Sequence, residues 1–136
     1  MDIREYYPDM ATRWTVRHVF AQKVPFEGTF VVTFIEGEKG TGRRLYFDGK
    51  VGAEAEDAQS YLIATEAGQA VARPIKSISF DGSILSITLD DASAWQLGID
   101  AKVSLDFEPT SLAAEARHGL EEFFSYISVP EVIVNL

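Results

Sequence analysis

Groups able to do chemistry are few in this chain, and they are scattered. Its 136 residues include two histidines, His18 and His118, and no cysteine. Thiolate nucleophiles, disulfides and thiolate metal sites are therefore outside its repertoire. His18 alternates with Trp14, Val16 and Phe20 and reads as a histidine on a strand face, buried or satisfied at an edge. His118 stands between Arg117 and Gly119, off the apolar stripe of a helix, and reads as solvated. The two do not make a metal pair, and no HExxH-type cluster occurs. Gly37-Glu38-Lys39-Gly40-Thr41-Gly42 spells a GxxGxG followed by Arg43 and Arg44. A strand pattern follows it, so no helix N-terminus would meet a phosphate, and a hairpin turn accounts for the glycines. Carboxylates are plentiful, but the adjacent pairs have structural duties: Asp90 and Asp91 head a helix, and Glu121 and Glu122 lie on a solvated face. An acid–base pair also needs pKa values driven apart by the surroundings, which spacing does not reveal. The expectation is a protein that binds and does not catalyse, with no cofactor and no metal.

The elements that would position any such site are mainly strands. Apolar residues alternate with a period of two through Arg13–Gln22, Thr29–Glu36, Arg43–Phe47 and Ser60–Thr65, as half-buried strands do. Thr29–Glu36 is apolar on both faces and reads as central. The stretch Asp48–Ala58 is polar and reads as an exposed loop. Asp81-Gly82 separates the alternating runs Ser77–Phe80 and Ser83–Leu89, and an Asp-Gly loop predicts a tight hairpin with Phe80 opposite Ser83 and Ile78 opposite Leu85. That register gathers Ile78, Phe80, Leu85, Ile87 and Leu89 on one side. Ser77, Ser79, Ser86 and Thr88, interrupted by Ile84, fall on the other. Asp90-Asp91 opens a short helix over Ala92–Leu97 that Gly98 stops. Lys102–Glu108 alternates again. After Pro109, the helical spacing of Leu112, Ala116, Leu120, Phe123, Phe124 and Ile127 predicts a long helix over Ser111–Tyr126. The tail 129–136 is β-like. The fold expected is one α+β domain spanning 1–136. It has a mainly antiparallel, twisted sheet of about seven or eight strands, one long C-terminal helix packed on one face, and one short helix.

Charge narrows the partners. The net charge is −9, and residues 81–136 carry ten acids against two bases, Lys102 and Arg117. Such a field repels nucleic acid and anionic membranes and attracts basic partners. Small basic and aromatic groupings, Arg13/Arg17 with Trp14 and Arg43/Arg44 with Tyr46, are outweighed by it. Met1–Met10 carries three acids and no signal-type apolar run, and no later segment is long enough to span a bilayer. With the missing cysteines, this fits a reducing bacterial cytoplasm.

One block resembles a known family. Tyr61-Leu62-Ile63-Ala64-Thr65-Glu66-Ala67-Gly68 is followed by Ile75–Phe80, the Asp81-Gly82 turn and Ser83–Asp90. The short helix Asp91–Leu97, Gly98 and the strand Val103–Phe107 come next. This succession resembles the immunity protein 10 family of bacterial polymorphic toxin systems. Phe34-Ile35-Glu36-Gly37, Leu45-Tyr46-Phe47 and Gly119-Leu120-Glu121 extend the likeness over residues 30–124. The resemblance implies a cytoplasmic antidote that binds and blocks a toxin domain delivered by neighbouring cells. Many such toxins are nucleases with basic clefts, which an acidic inhibitor can occupy in place of the phosphate backbone.

Exposed acids are the expected contacts. The loop set is Glu54, Glu56 and Asp57; the second set, in the acidic half, is Asp90, Asp91, Asp100, Asp106 and Glu108. Two other readings compete with toxin capture. The tail strand suggests a scaffold or self-associating module, a homodimer formed by adding 129–136 to a sheet edge. Surplus carboxylates alone suggest a small hydrolase or sugar-binding domain.

Overall fold

The strand alternation is realised as two sheets, not one. In this computed structural model, which describes residues 11–37 and 41–136, the order is β1 (Thr12–Val16), β2 (His18–Val24), β3 (Thr29–Ile35), β4 (Arg44–Lys50), β5 (Tyr61–Thr65), β6 (Ala70–Ala72), β7 (Ile75–Asp81), β8 (Ile84–Leu89), α1 (Asp91–Leu97), β9 (Lys102–Phe107), α2 (Leu112–Tyr126) and β10 (Ile133–Asn135). The acidic stretch Met1–Met10 and the Glu38-Lys39-Gly40 centre of the glycine turn lie outside the described residues. The first sheet runs β1-β9-β8-β7-β10 and the second β2-β3-β4-β5-β6. The second is antiparallel throughout, whereas β1 and β10 join the first in parallel. The α+β class stands, with ten strands among the described residues divided between two sheets.

The division occurs at Arg17. Read as one strand, Arg13–Gln22 puts Trp14, Val16, His18 and Phe20 on a common face. The chain instead leaves the first sheet at Arg17, whose N–H donates to the Ile35 carbonyl at 2.8 Å, and enters the second. One residue of slip reverses every later side chain. Trp14 and Val16 are buried, but it is Val19 and Ala21 that stand opposite the core residues Phe34 and Val32. Phe20 is turned outward, and His18 on the same side of the strand is half-buried, its Nε2 enclosed without a hydrogen-bond partner.

The hairpin differs by one step of turn choice. Asp81 pairs with Ile84 and Phe80 with Leu85, so the two-residue loop is Gly82-Ser83. Gly82 takes φ +61° at the first central position, the place a type II′ turn gives to glycine. The register moves by two residues, an even number, so the predicted apolar and hydroxyl faces survive intact. Between Ile75 and Ser77 the register shifts, so that Ile75 and not Lys76 stands opposite Leu89.

β4 runs past Phe47 to Lys50 and takes in residues expected in a loop. Gly49 explains how: a Cβ there would lie 2.8 Å from the Phe123 ring. Helix α2 lies on the inner face of the second sheet, and its Gly119 approaches Ala21 just as closely, at 2.9 Å from a built Cβ. Phe123 meets Phe47 and Tyr61 edge to face at 5.8 and 6.1 Å. Phe34 meets Phe47 in its own sheet at 5.7 Å and Phe107 in the other at 6.0 Å. One cluster of buried side chains therefore draws on both sheets and α2.

Helix α1 matches its sequence signals. The Asp90 carboxylate accepts from the Ser93 N–H at 2.8 Å and the Ser93 hydroxyl at 2.7 Å, and Gly98 closes the helix at φ +73°. The β-like tail narrows to the three residues of β10, which adds in parallel to β7 of its own chain.

Candidate protein-binding surface

The acids of the Glu54/Glu56/Asp57 set share one loop that is tied down from the interior. Arg73, at φ +50°, donates to the carbonyls of Ala55 and Asp57 at 2.6 and 2.9 Å and pairs with Glu131. Asp57 accepts from the Gln59 N–H at 2.8 Å and lies 3.3 Å from the Lys50 ammonium; these contacts hold its carboxyl below the usual range. Glu54 and Glu56 are exposed.

The second set is not gathered in one place. Asp90 caps α1, Asp91 is exposed in its first turn, and Asp100 exchanges hydrogen bonds with Thr12 at 3.1 and 3.0 Å. Asp106 accepts from Thr15 at 2.7 Å, and Glu108 stands 3.7 Å from Arg17. Asp100 precedes β9 and Asp106 lies near its far end, so the strand's length separates them. Folding also blunts the charge difference between the two halves of the chain, because Arg17–Glu108 and Arg73–Glu131 join bases of one half to acids of the other.

Tyr61 shows how the buried polar groups are used. Its hydroxyl accepts from the Ile75 N–H at 3.0 Å, and burial pushes its pKa up to about 12. It bridges the two sheets as a neutral group. Among the described residues, no three His, Asp or Glu side chains are grouped to hold a metal ion. An open depression between Arg13, Thr15, Ile84, Ser104 and Asp106 holds a single carboxylate, and a second beside Gln69 and Trp95 holds none.

The outer faces of the two sheets are dressed differently. On the first, cross-strand rows run Asn135–Ser79–Ser86–Ser104–Arg13 and Ile133–Ser77–Thr88–Lys102, polar apart from Ile133 at the edge. This is the polar face that a half-solvated sheet ordinarily shows. On the second, the rows run Phe20–Thr33–Tyr46–Ala64 and Gln22–Val31–Asp48–Leu62. Phe20 is 57% exposed there, and α2 lies on the opposite side. Asp48, on the interior strand β4, is half-buried, and its carboxyl is pushed above the usual range by that burial and then by Glu27. Sequence reading named none of Phe20, Tyr46, Asp48 and Leu62 as a partner contact. The available signal was the two-faced apolarity of Thr29–Glu36, which fits an exposed apolar face as well as a central strand.

Fold and surface define a small α+β protein whose second sheet turns a partly apolar, aromatic face outward. The chain belongs to the immunity protein 10 family, whose family model matches residues 15–115. The match begins within β1 and ends in the first turn of α2, so it takes in both sheets apart from β10. Comparison with curated proteins and with solved structures gives no match. Family membership assigns the chain an immunity-protein role. No helix among the described residues is long and apolar enough to cross a membrane.

Proposed function

We propose that this chain, folded as one domain in the bacterial cytoplasm, binds a cognate toxin domain of a polymorphic toxin system and neutralises it by protein–protein contact, without catalysis. The observation that carries this reading is the family match, which spans most of both sheets. The net charge of −9 favours a basic, nuclease-like toxin. Exposed acids such as Glu54, Glu56, Asp91, Asp106 and Glu108 would steer its approach at long range. Asp57, Asp90 and Asp100 sit among them and would add to the field while holding their own loops and caps. The deciding experiment co-expresses the toxin encoded beside this gene with and without the chain. Restored growth and a 1:1 complex are the expected results; continued killing, with the chain present in soluble form, would overturn the reading.

A self-associating module is the second reading, and one observation favours it. β10 is the outermost strand of the first sheet, and Ile133 and Val134 on it are 71% and 42% exposed. Sedimentation that shifts to a dimer as concentration rises would support this edge-to-edge pairing.

A further inference from the structure

The outer face of the second sheet carries an unusual combination: apolar and aromatic side chains around a carboxylate. Phe20, Val31, Thr33, Tyr46, Leu62 and Ala64 surround Asp48, which stands directly opposite Val31 on one neighbouring strand and Leu62 on the other. Several other acids of the sheets and their turns have partners: Asp106 has Thr15, Glu36 has Arg43, Asp57 has Lys50, and Glu66 has the Arg44 N–H. Among the described residues, no hydrogen bond or ion pair reaches the Asp48 carboxylate. Lys50, two residues further along the same face, has its ammonium committed to Asp57, and Arg44 donates to the Tyr46 hydroxyl at 3.0 Å. Glu27, in the turn between β2 and β3, adds to the negative potential at this point.

A partly desolvated, uncompensated carboxylate costs stability in the free protein, and a cation placed on it recovers that cost. The surrounding apolar area supplies the contact that excludes water from such a pair. A second copy of this chain is a poor occupant, because pairing two such faces brings Asp48 and Glu27 toward their own images. A phosphate backbone is a poor occupant for the same reason. We propose that the outer face of the second sheet is the docking surface for a basic segment of the toxin, with the Asp48 carboxylate receiving one of its arginine or lysine side chains beside the Tyr46 ring. This assignment rests on the immunity reading. It divides the labour between exposed acids, which set the association rate, and Asp48, which sets the dissociation rate. A guanidinium seated there also meets the face of an aromatic ring.

The test measures binding of the toxin domain encoded beside this gene to four forms of the full chain: unaltered, Asp48→Asn, Asp48→Lys, and Ser86→Lys on the outer face of the first sheet. Asp48→Asn should weaken binding by about tenfold or more, chiefly through faster dissociation, and Asp48→Lys should abolish it. Ser86→Lys should bind within about twofold of the unaltered chain. Asp48→Asn removes a desolvated charge, so it should melt no lower than the unaltered chain, and its binding loss is then not unfolding. If the unaltered chain captures the toxin and Asp48→Asn captures it equally well, the docking surface is wrong and the immunity reading stands. If the unaltered chain fails to bind the toxin, the immunity reading falls and the docking surface falls with it.

Discussion

Each of the two five-stranded sheets buries one face in the same core and turns the other outward, yet the outward faces obey different rules. The first presents mainly serines and threonines, which solvent satisfies, interrupted by the exposed Ile84 and Ile133. The second presents the exposed Phe20 beside the half-buried Val31, Tyr46 and Leu62. An antiparallel sheet needs only one apolar face to pack. A second apolar face, left without a covering element, calls for an explanation outside the monomer. The difference is what makes the second sheet's outer face the proposed docking surface.

The comparison breaks most severely at the core the sheets share. Phe123→Ala removes the ring lodged against Phe47 and Tyr61 and should cost about 3–5 kcal/mol in urea unfolding. Trp14, buried in the first sheet, should report this loss in the same transition that far-UV circular dichroism follows. A Trp14 transition left at its original midpoint would mean that the sheets are stabilised separately. A matched pair of surface changes asks about the outward faces. Tyr46→Ser should weaken toxin capture by about 2 kcal/mol, roughly 30-fold, as loss of an aromatic anchor does. Ser86→Val on the first sheet should leave capture unchanged and stability within about 0.5 kcal/mol.

The smallest effect is a titration. The Asp48 carboxyl titrates above its ordinary value of 3.8 in the folded chain, so its ionised form opposes folding. Asp48→Asn should therefore be the more stable protein at neutral pH. Its advantage should shrink as pH falls through the raised folded value and vanish below the unfolded one. Asp57 runs the other way, because its folded value is lowered. It contributes stability above the unfolded value, and that contribution is lost as pH falls through the folded one. Melting temperatures taken from pH 7 down to 3 would distinguish the two carboxyls by sign.

Local chemistry was legible wherever it is self-contained. Asp90 and Gly98 bracket α1 because a cap and a left-handed stop act within a few residues. The stripe from Leu112 to Ile127 marks α2 because helical spacing needs no partner to be seen. The Ile78/Phe80/Leu85/Ile87 face survived a wrong turn assignment because an error of two residues preserves strand parity. Parity failed at Arg17, where a slip of one residue between sheets looks, in the sequence, like unbroken alternation. It failed again at Asp48-Gly49-Lys50, where polar composition hid a strand whose glycine is required by a phenylalanine 74 positions later.

For the surface, the sequence by itself determined the inventory: surplus acid, no cysteine, two isolated histidines, an α+β pattern and the likeness to an immunity family. It also placed the hydroxyl face opposite the apolar face of the β7–β8 hairpin. Only the tertiary structure decided which charges have partners. It tied Asp100 to Thr12, 88 residues away, drew Glu131 to Arg73, and left Asp48 half-buried without a partner on the outer face of the second sheet. The reason is one of range. Caps, turns and periodicity are decided within a few residues, whereas desolvation of a carboxylate depends on side chains that distant strands bring alongside it.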